Sequence, residues 1–212
     1  MTSKLINLPS LIFAALDCEA SGDGIDECLG KQILPQVEHV KELKIGSLFI
    51  KILSSLEEGG VSCPFFNNKC LTLGYVDFDK HHAAVAYALR NSIVLQKLVI
   101  NMSSICESIY TADVPDMNDF SENYWKSSET FFDCFGSHLK IVKICGLGKE
   151  DQKWRLVVNF VEFLLKNARL LEKMVVEISE KRRTEFAFNV SEKLLSFSRC
   201  SQHAIVELVC AE

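Results

Sequence analysis

A short apolar pattern returns along the chain at intervals longer than one strand or one helix. Its clearest copies are Leu95-Gln96-Lys97-Leu98-Val99-Ile100, Leu139-Lys140-Ile141-Val142-Lys143-Ile144 and Leu171-Glu172-Lys173-Met174-Val175-Val176, each reading Leu-x-x-apolar-x-apolar. The closing alternation is that of a strand with one face buried. Looser copies are Leu8-Pro9-Ser10-Leu11-Ile12-Phe13, Val40-Lys41-Glu42-Leu43-Lys44-Ile45, Asn68-Lys69-Cys70-Leu71-Thr72-Leu73 and the closing Ile205 to Cys210. Between them the period changes. From about Asp151 to Asn167, Trp154, Val157, Val158, Val161, Leu164 and Leu165 fall on one helical stripe. A second helix is expected from an Asp79 cap to Asn91-Ser92, with Ala84, Val85, Ala88 and Leu89 inward. Ile50 to Leu56 carries the chain across after Ile45, and Val190, Leu194 and Leu195 suggest a last helix.

Strand, helix and the same strand again is one turn of a leucine-rich-repeat solenoid, which needs neighbours stacked on both sides to bury its apolar face. With Leu11, Leu43, Leu71, Leu98, Val142 and Met174 as equivalents, the spacings are about 32, 28, 27, 44 and 32 residues. The expectation is an α/β leucine-rich-repeat solenoid, a curved parallel sheet with helices and loops on the convex side. The long interval marks an insertion. The chain then divides into repeats over 1–102, an inserted segment over 103–137 and further repeats over 138–212. The insertion holds Asp113, Pro115, Asp116, Asp119, Glu122 and Tyr124-Trp125; loops of this length tend to be functional or disordered.

Composition narrows the partner classes. The 212 residues are 48% hydrophobic and 24% charged, a globular balance, and carry a net charge of −5. A sequence-independent nucleic-acid binder would be basic, so nucleic acid is not expected as a partner, nor is an anionic membrane surface. No run approaches the ~20 apolar residues that span a bilayer. Nine scattered cysteines with no Cys-x-x-Cys read as small apolar residues of a reducing compartment, so the expected location is cytoplasmic or nuclear. The alternative is a secreted or receptor-type repeat protein. It draws on an apolar run from Leu5 to Leu16 and on sequons at Asn101 and Asn189, but Asn7, Pro9 and Ser10 interrupt the run.

No catalytic constellation emerges, and neither an enzyme nor a cofactor is expected. Gly146-Leu147-Gly148-Lys149 has the context of a phosphate cradle but lacks the third glycine of a dinucleotide fingerprint, and Glu150 and Asp151 would repel phosphate. It reads as a turn and a helix start. His81-His82 reads as a solvated first turn, since adjacent helical residues diverge by about 100° and cannot easily share a metal. Cys200 and His203 make a nucleophile pair only if the fold brings them together. Glu180-Lys181-Arg182-Arg183 reads as a solvated turn. The strand positions facing away from the core remain: Lys44, Thr72, Val99, Lys143 and Val175, followed by Gly46, Gly74, Asn101, Cys145 and Glu177. This mixed, partly apolar row suits a protein. Lys44, Thr72, Val99, Asn101, Lys143 and Glu177 are the candidate partner-binding residues.

Cys134, His138-Leu139-Lys140, Val142-Lys143-Ile144, Gly146, Phe163 to Ala168 and Leu171 to Met174, with the tail Leu194 to Ser201, resemble the FBD domain that ends many plant F-box proteins behind leucine-rich repeats. Val40 to Leu43, Cys70 to Leu73 and Leu95 to Ile100 are similar to the repeats of that family, and Tyr124-Trp125 to the segment before the domain. The resemblance implies the substrate-recognition part of a cullin-RING (SCF-type) ubiquitin ligase, with 138–212 as the FBD-like part. The F-box expected ahead of the repeats is absent from the sequence. The ligase adaptor is therefore not expected to bind directly, and the protein substrate is unidentified.

Overall fold

The structure is a computed structural model and describes residues 11–17, 27–61, 66–102, 124–125, 132–148, 154–179 and 185–210. Seven strands are described: β1 (Phe13–Leu16), β2 (Glu42–Ile45), β3 (Cys70–Val76), β4 (Lys97–Met102), β5 (Ile141–Leu147), β6 (Lys173–Ile178) and β7 (Ile205–Cys210). They form one sheet in chain order, and every neighbouring pair is parallel. Helices lie in the crossings: α1 (Glu27–Ile33), α2 (Ser47–Glu58), α3 (His82–Asn91), α4 (Asp133–Ser137), α5 (Trp154–Asn167) and α6 (Glu185–Ser196). A sheet whose spatial order equals its sequence order, with helices on one side, is the leucine-rich-repeat solenoid.

The register turns the sequence pattern into columns. Ala14, Leu43, Leu71, Leu98, Val142, Met174 and Val206 pair in series across the sheet, and so do Leu16, Ile45, Leu73, Ile100, Ile144, Val176 and Leu208. All are buried except Val206 and Leu208 at the last strand, which are half-buried. The first repeat is offset from its sequence reading. Ala14, not Leu11, stands in the column, so the first interval is 29 residues. Two overlapping frames cause this. Leu8-x-x-Leu11-x-Phe13 and Leu11-x-x-Ala14-x-Leu16 both satisfy the pattern, and the second buries Ala14 and Leu16 while Ile12 and Phe13 stay exposed.

A backbone device keeps the strands in step. The carbonyls of Ile12, Lys41, Lys69, Gln96 and Lys140 each accept two successive N–H groups from the next chain segment, at 2.8–3.0 Å. The residue before each strand thus fixes where the next one starts, independently of side chains. The third repeat puts Asn68 where Val40, Leu95, Leu139 and Leu171 stand in other repeats. It is fully buried, and its Oδ1 accepts a hydrogen bond from Ser92 Oγ at 3.1 Å.

One helix boundary and one buried position differ from expectation. Asp79 does not cap α3; the helix starts at His82 behind His81. Asp77 organises the preceding turn, its Oδ1 accepting from Asp79 N and its N–H donating to His81 Nδ1, both at 3.1 Å. In α6, Val190 and Leu194 are buried, but Leu195 is exposed with Phe188. The expected start of α5 near Asp151 lies outside the described residues, as does most of the inserted segment.

Tyr124 and Trp125, which are described, explain how the sheet continues across the 44-residue interval. Trp125 is buried, its ring 4.7 Å from Phe160, 5.3 Å from Phe163 and 6.5 Å from Phe132. Phe78, in the turn after β3, reaches Phe160 at 5.3 Å. With only the five-residue α4 described in this crossing, aromatic rings supply much of the packing between α3 and α5.

Candidate functional site: the open face of the sheet

Alternation sends every second strand residue away from the helices. Three rows result. The first runs Phe13, Glu42, Cys70, Lys97, Ile141, Lys173, Ile205, and the second Ala15, Lys44, Thr72, Val99, Lys143, Val175, Glu207. The third contains the registered pairs Asn101–Cys145 and Glu177–Val209. The six candidate residues Lys44, Thr72, Val99, Asn101, Lys143 and Glu177 therefore share this face, each half-buried.

Two bulges interrupt the far ends of the rows. The register shifts between Leu73 and Val76 in β3, and between Ile144 and Leu147 in β5. Each bulge uses one left-handed residue: Gly146 (φ 88°) and Tyr75 (φ 59°). The glycine suits that conformation, while a tyrosine there is strained. Tyr75 is about half exposed, at the strand-end rim of the open face. Gly146-Leu147 is thus the bulged end of a strand, not a turn after it; Lys149, Glu150 and Asp151 lie outside the described residues.

Charge is distributed unevenly. In the C-terminal half each lysine of the face has a glutamate from the neighbouring strand: Lys143–Glu177, Lys173–Glu207 and, at the rim, Lys140–Glu172, all at 2.8 Å. The hydrogen bond to Glu177, aided by Cys145, holds the Lys143 ammonium above its ordinary range. In the N-terminal half Lys44 lies 3.7 Å from Asp17, and Lys41, Lys69 and Lys97 make no ion pair among the described residues. Two thiols share the face. Burial pushes Cys70 and Cys145 up, and Lys97 and Lys143 only partly offset it, so neither is an activated thiolate.

The other candidates are dispersed. His81 and His82 are half-buried, not solvated, and His82 packs against Tyr124 with the rings tilted and their centres 4.6 Å apart. Cys200 and His203 are both exposed, and no hydrogen bond joins them. Among the described residues no three His, Cys, Asp or Glu side chains converge as a metal site would require, and no helix is long and apolar enough to cross a membrane. Among the described residues Cys70, Cys134, Cys145, Cys200 and Cys210 are free thiols. Trp154 packs edge-on to Phe186 at 6.0 Å, part of the core margin. Lys181, Arg182 and Arg183 lie outside the described residues. Sequence reasoning missed Lys41, Lys69, Lys97 and Tyr75. Lys41 and Lys69 were legible, because the second motif position is lysine in Val40-Lys41, Asn68-Lys69 and Leu139-Lys140, and Lys97 follows one position later on the strand, but only the fifth and seventh positions were read as facing a partner. Nothing in the sequence announces the left-handed Tyr75.

The fold and its open face define a leucine-rich-repeat protein with a solvent-facing parallel sheet. Comparison with known proteins agrees. The FBD family matches residues 128–176, from before α4 to the end of the Val176 column. A putative F-box/LRR-repeat protein of Arabidopsis thaliana is 33% identical over 152 residues, 70% of this chain and 31% of the relative. A second putative F-box/LRR-repeat protein is 27% identical over 150 residues (71% and 31%), and a probable F-box protein 27% identical over 184 residues (83% and 53%), both from the same organism. The chain spans about a third to a half of the length of these relatives. No solved structure matches significantly. The chain thus carries an FBD match and is similar over most of its length to F-box/leucine-rich-repeat proteins of a plant.

Proposed function

We propose that this chain is a protein-binding module, related to the substrate-recognition part of an SCF-type ubiquitin ligase, that holds its partner on the open face of the sheet. The observation that carries the reading is the registered row Lys44, Thr72, Val99, Lys143, Val175, half-exposed on five consecutive strands. A mixed row of aliphatic, hydroxyl and charged groups on a rigid sheet offers apolar contact with fixed polar anchors, as protein interfaces do. In this reading 1–102 and 138–212 form one recognition surface interrupted by 103–137, the compartment is cytoplasmic or nuclear, and an F-box supplies adaptor docking.

The test is affinity capture from plant tissue with the chain and with Lys44→Ala, Asn101→Ala and Lys143→Ala variants that keep the wild-type melting temperature. A partner retained by the chain and lost by the variants is expected. A partner retained equally by all of them would overturn the open-face reading. The ligase adaptor is expected to be captured only when an F-box is fused to the chain, and strong capture by the chain alone would contradict that part.

A further inference from the structure

We infer that Lys41, Lys69 and Lys97, with Lys44 one step along the sheet, form a docking site for a short acidic run of a partner protein; this rests on the open face being the binding surface. Lys41 and Lys69 occupy equivalent positions on neighbouring repeats, because Lys41 O accepts from Lys69 N and Lys69 O from Gln96 N and Lys97 N. All three side chains are exposed. Among the described residues none has an ion pair, whereas Lys140, Lys143 and Lys173 are each held by a glutamate. Glu42 and Asp17 are the acids of this corner, and Asp17 sits beside Lys44 at 3.7 Å.

Three features make this a receptor for carboxylates. The patch is positive on a chain of net charge −5, so it is a local field opposed to the sign of the whole. Like charges on adjacent strands repel, so the row does not serve the fold. Strands about 4.8 Å apart spread the three lysines over about 10 Å, which three or four extended residues cover. The adjacent Thr72 and Val99 leave low relief next to the lysines, giving a peptide backbone room to approach.

The test uses the full chain and a fluorescein-labelled octaglutamate peptide, read by anisotropy. Binding is expected that weakens as NaCl rises from about 50 to about 200 mM. The Lys41→Gln/Lys69→Gln/Lys97→Gln variant is expected to lose about tenfold or more in affinity, while Lys140→Gln/Lys173→Gln changes it less than about twofold. Melting curves confirm that both variants fold. Equal losses in both variants, retained binding in the first, or tighter binding of a single-stranded oligonucleotide of equal charge at the same lysines would overturn the proposal. A captured tissue partner that ignores the triple variant but is lost on Lys143→Ala overturns the acidic-run proposal and leaves the open-face reading standing. A partner insensitive to both removes the open-face reading as well.

Discussion

The two halves of the solenoid use the same residue types in opposite ways. Across β2–β4 the lysines Lys41, Lys69 and Lys97 make no ion pair among the described residues, while across β5–β7 Lys140, Lys143 and Lys173 are each clamped to a glutamate of the next repeat. The helical side divides at the same place. The first half has close helix contacts made by small residues: Gly30 lies against Ile52, and Ala83, Ala84, Ala86 and Ala88 are buried along α3. The second half packs by size, with Trp125, Phe132, Phe135, Phe160 and Phe163 in one aromatic cluster. A solenoid tolerates such divergence because each repeat answers only to its neighbours. What it must keep is the join, and here that is the crossing from β4 to β5.

The largest effect is therefore expected at the join. Trp125→Ala removes the central ring of the aromatic cluster and should cost about 3–5 kcal/mol in urea unfolding. It should also separate the halves, giving a broader or two-step transition; a sharp single transition with under about 1 kcal/mol lost would show that the cluster does not couple them. In the first half the opposite change is the damaging one. A Cβ on Gly30 would lie 2.5 Å from the buried Ile52 Cγ2, so Gly30→Ala should cost about 1–3 kcal/mol, measured the same way.

Smaller over its first unit, about 1 kcal/mol between about pH 9 and pH 10, is a titration at the seam. Burial pushes the Cys134 thiol up to about 12 from an ordinary value of 9.0, and its Sγ lies 3.9 Å from Leu89 O, across the join between α3 and α4. The folded state holds this proton more tightly than the unfolded chain. Its contribution is complete below pH 9 and is lost as pH rises toward about 12, at a slope of up to about 1.4 kcal/mol per unit. Cys134→Ala should flatten that alkaline decline in a stability-against-pH series.

Much of this was legible in the sequence because burial on one face of a strand imposes a period of two that survives substitution. Leu43, Leu98, Val142 and Met174 stand in one column as their spacing required. The first repeat was misframed where apolar residues crowd, since Leu8, Leu11 and Ala14 allow two frames and only pairing to Leu43 selects one. The shared face of the candidate residues was legible for the same reason as the columns. The pairing of Lys143 with Glu177, and the lack of any such pair at Lys69, was not, because bulges and neighbouring strands far apart in sequence decide which charges meet. His82 packing against Tyr124 is likewise a contact with the insertion that local pattern cannot show.

The contrast between the two lysine sets can be measured directly by urea unfolding at low salt. Removing Lys143 and Glu177 singly and together should give a coupling of about 0.2–1 kcal/mol, shrinking as salt is added. Lys41→Gln/Lys69→Gln should leave stability unchanged or slightly raised, by relief of like-charge repulsion. A loss in that second variant equal to the Lys143–Glu177 coupling would mean that the first-half lysines hold the fold together and are not held in readiness for a partner.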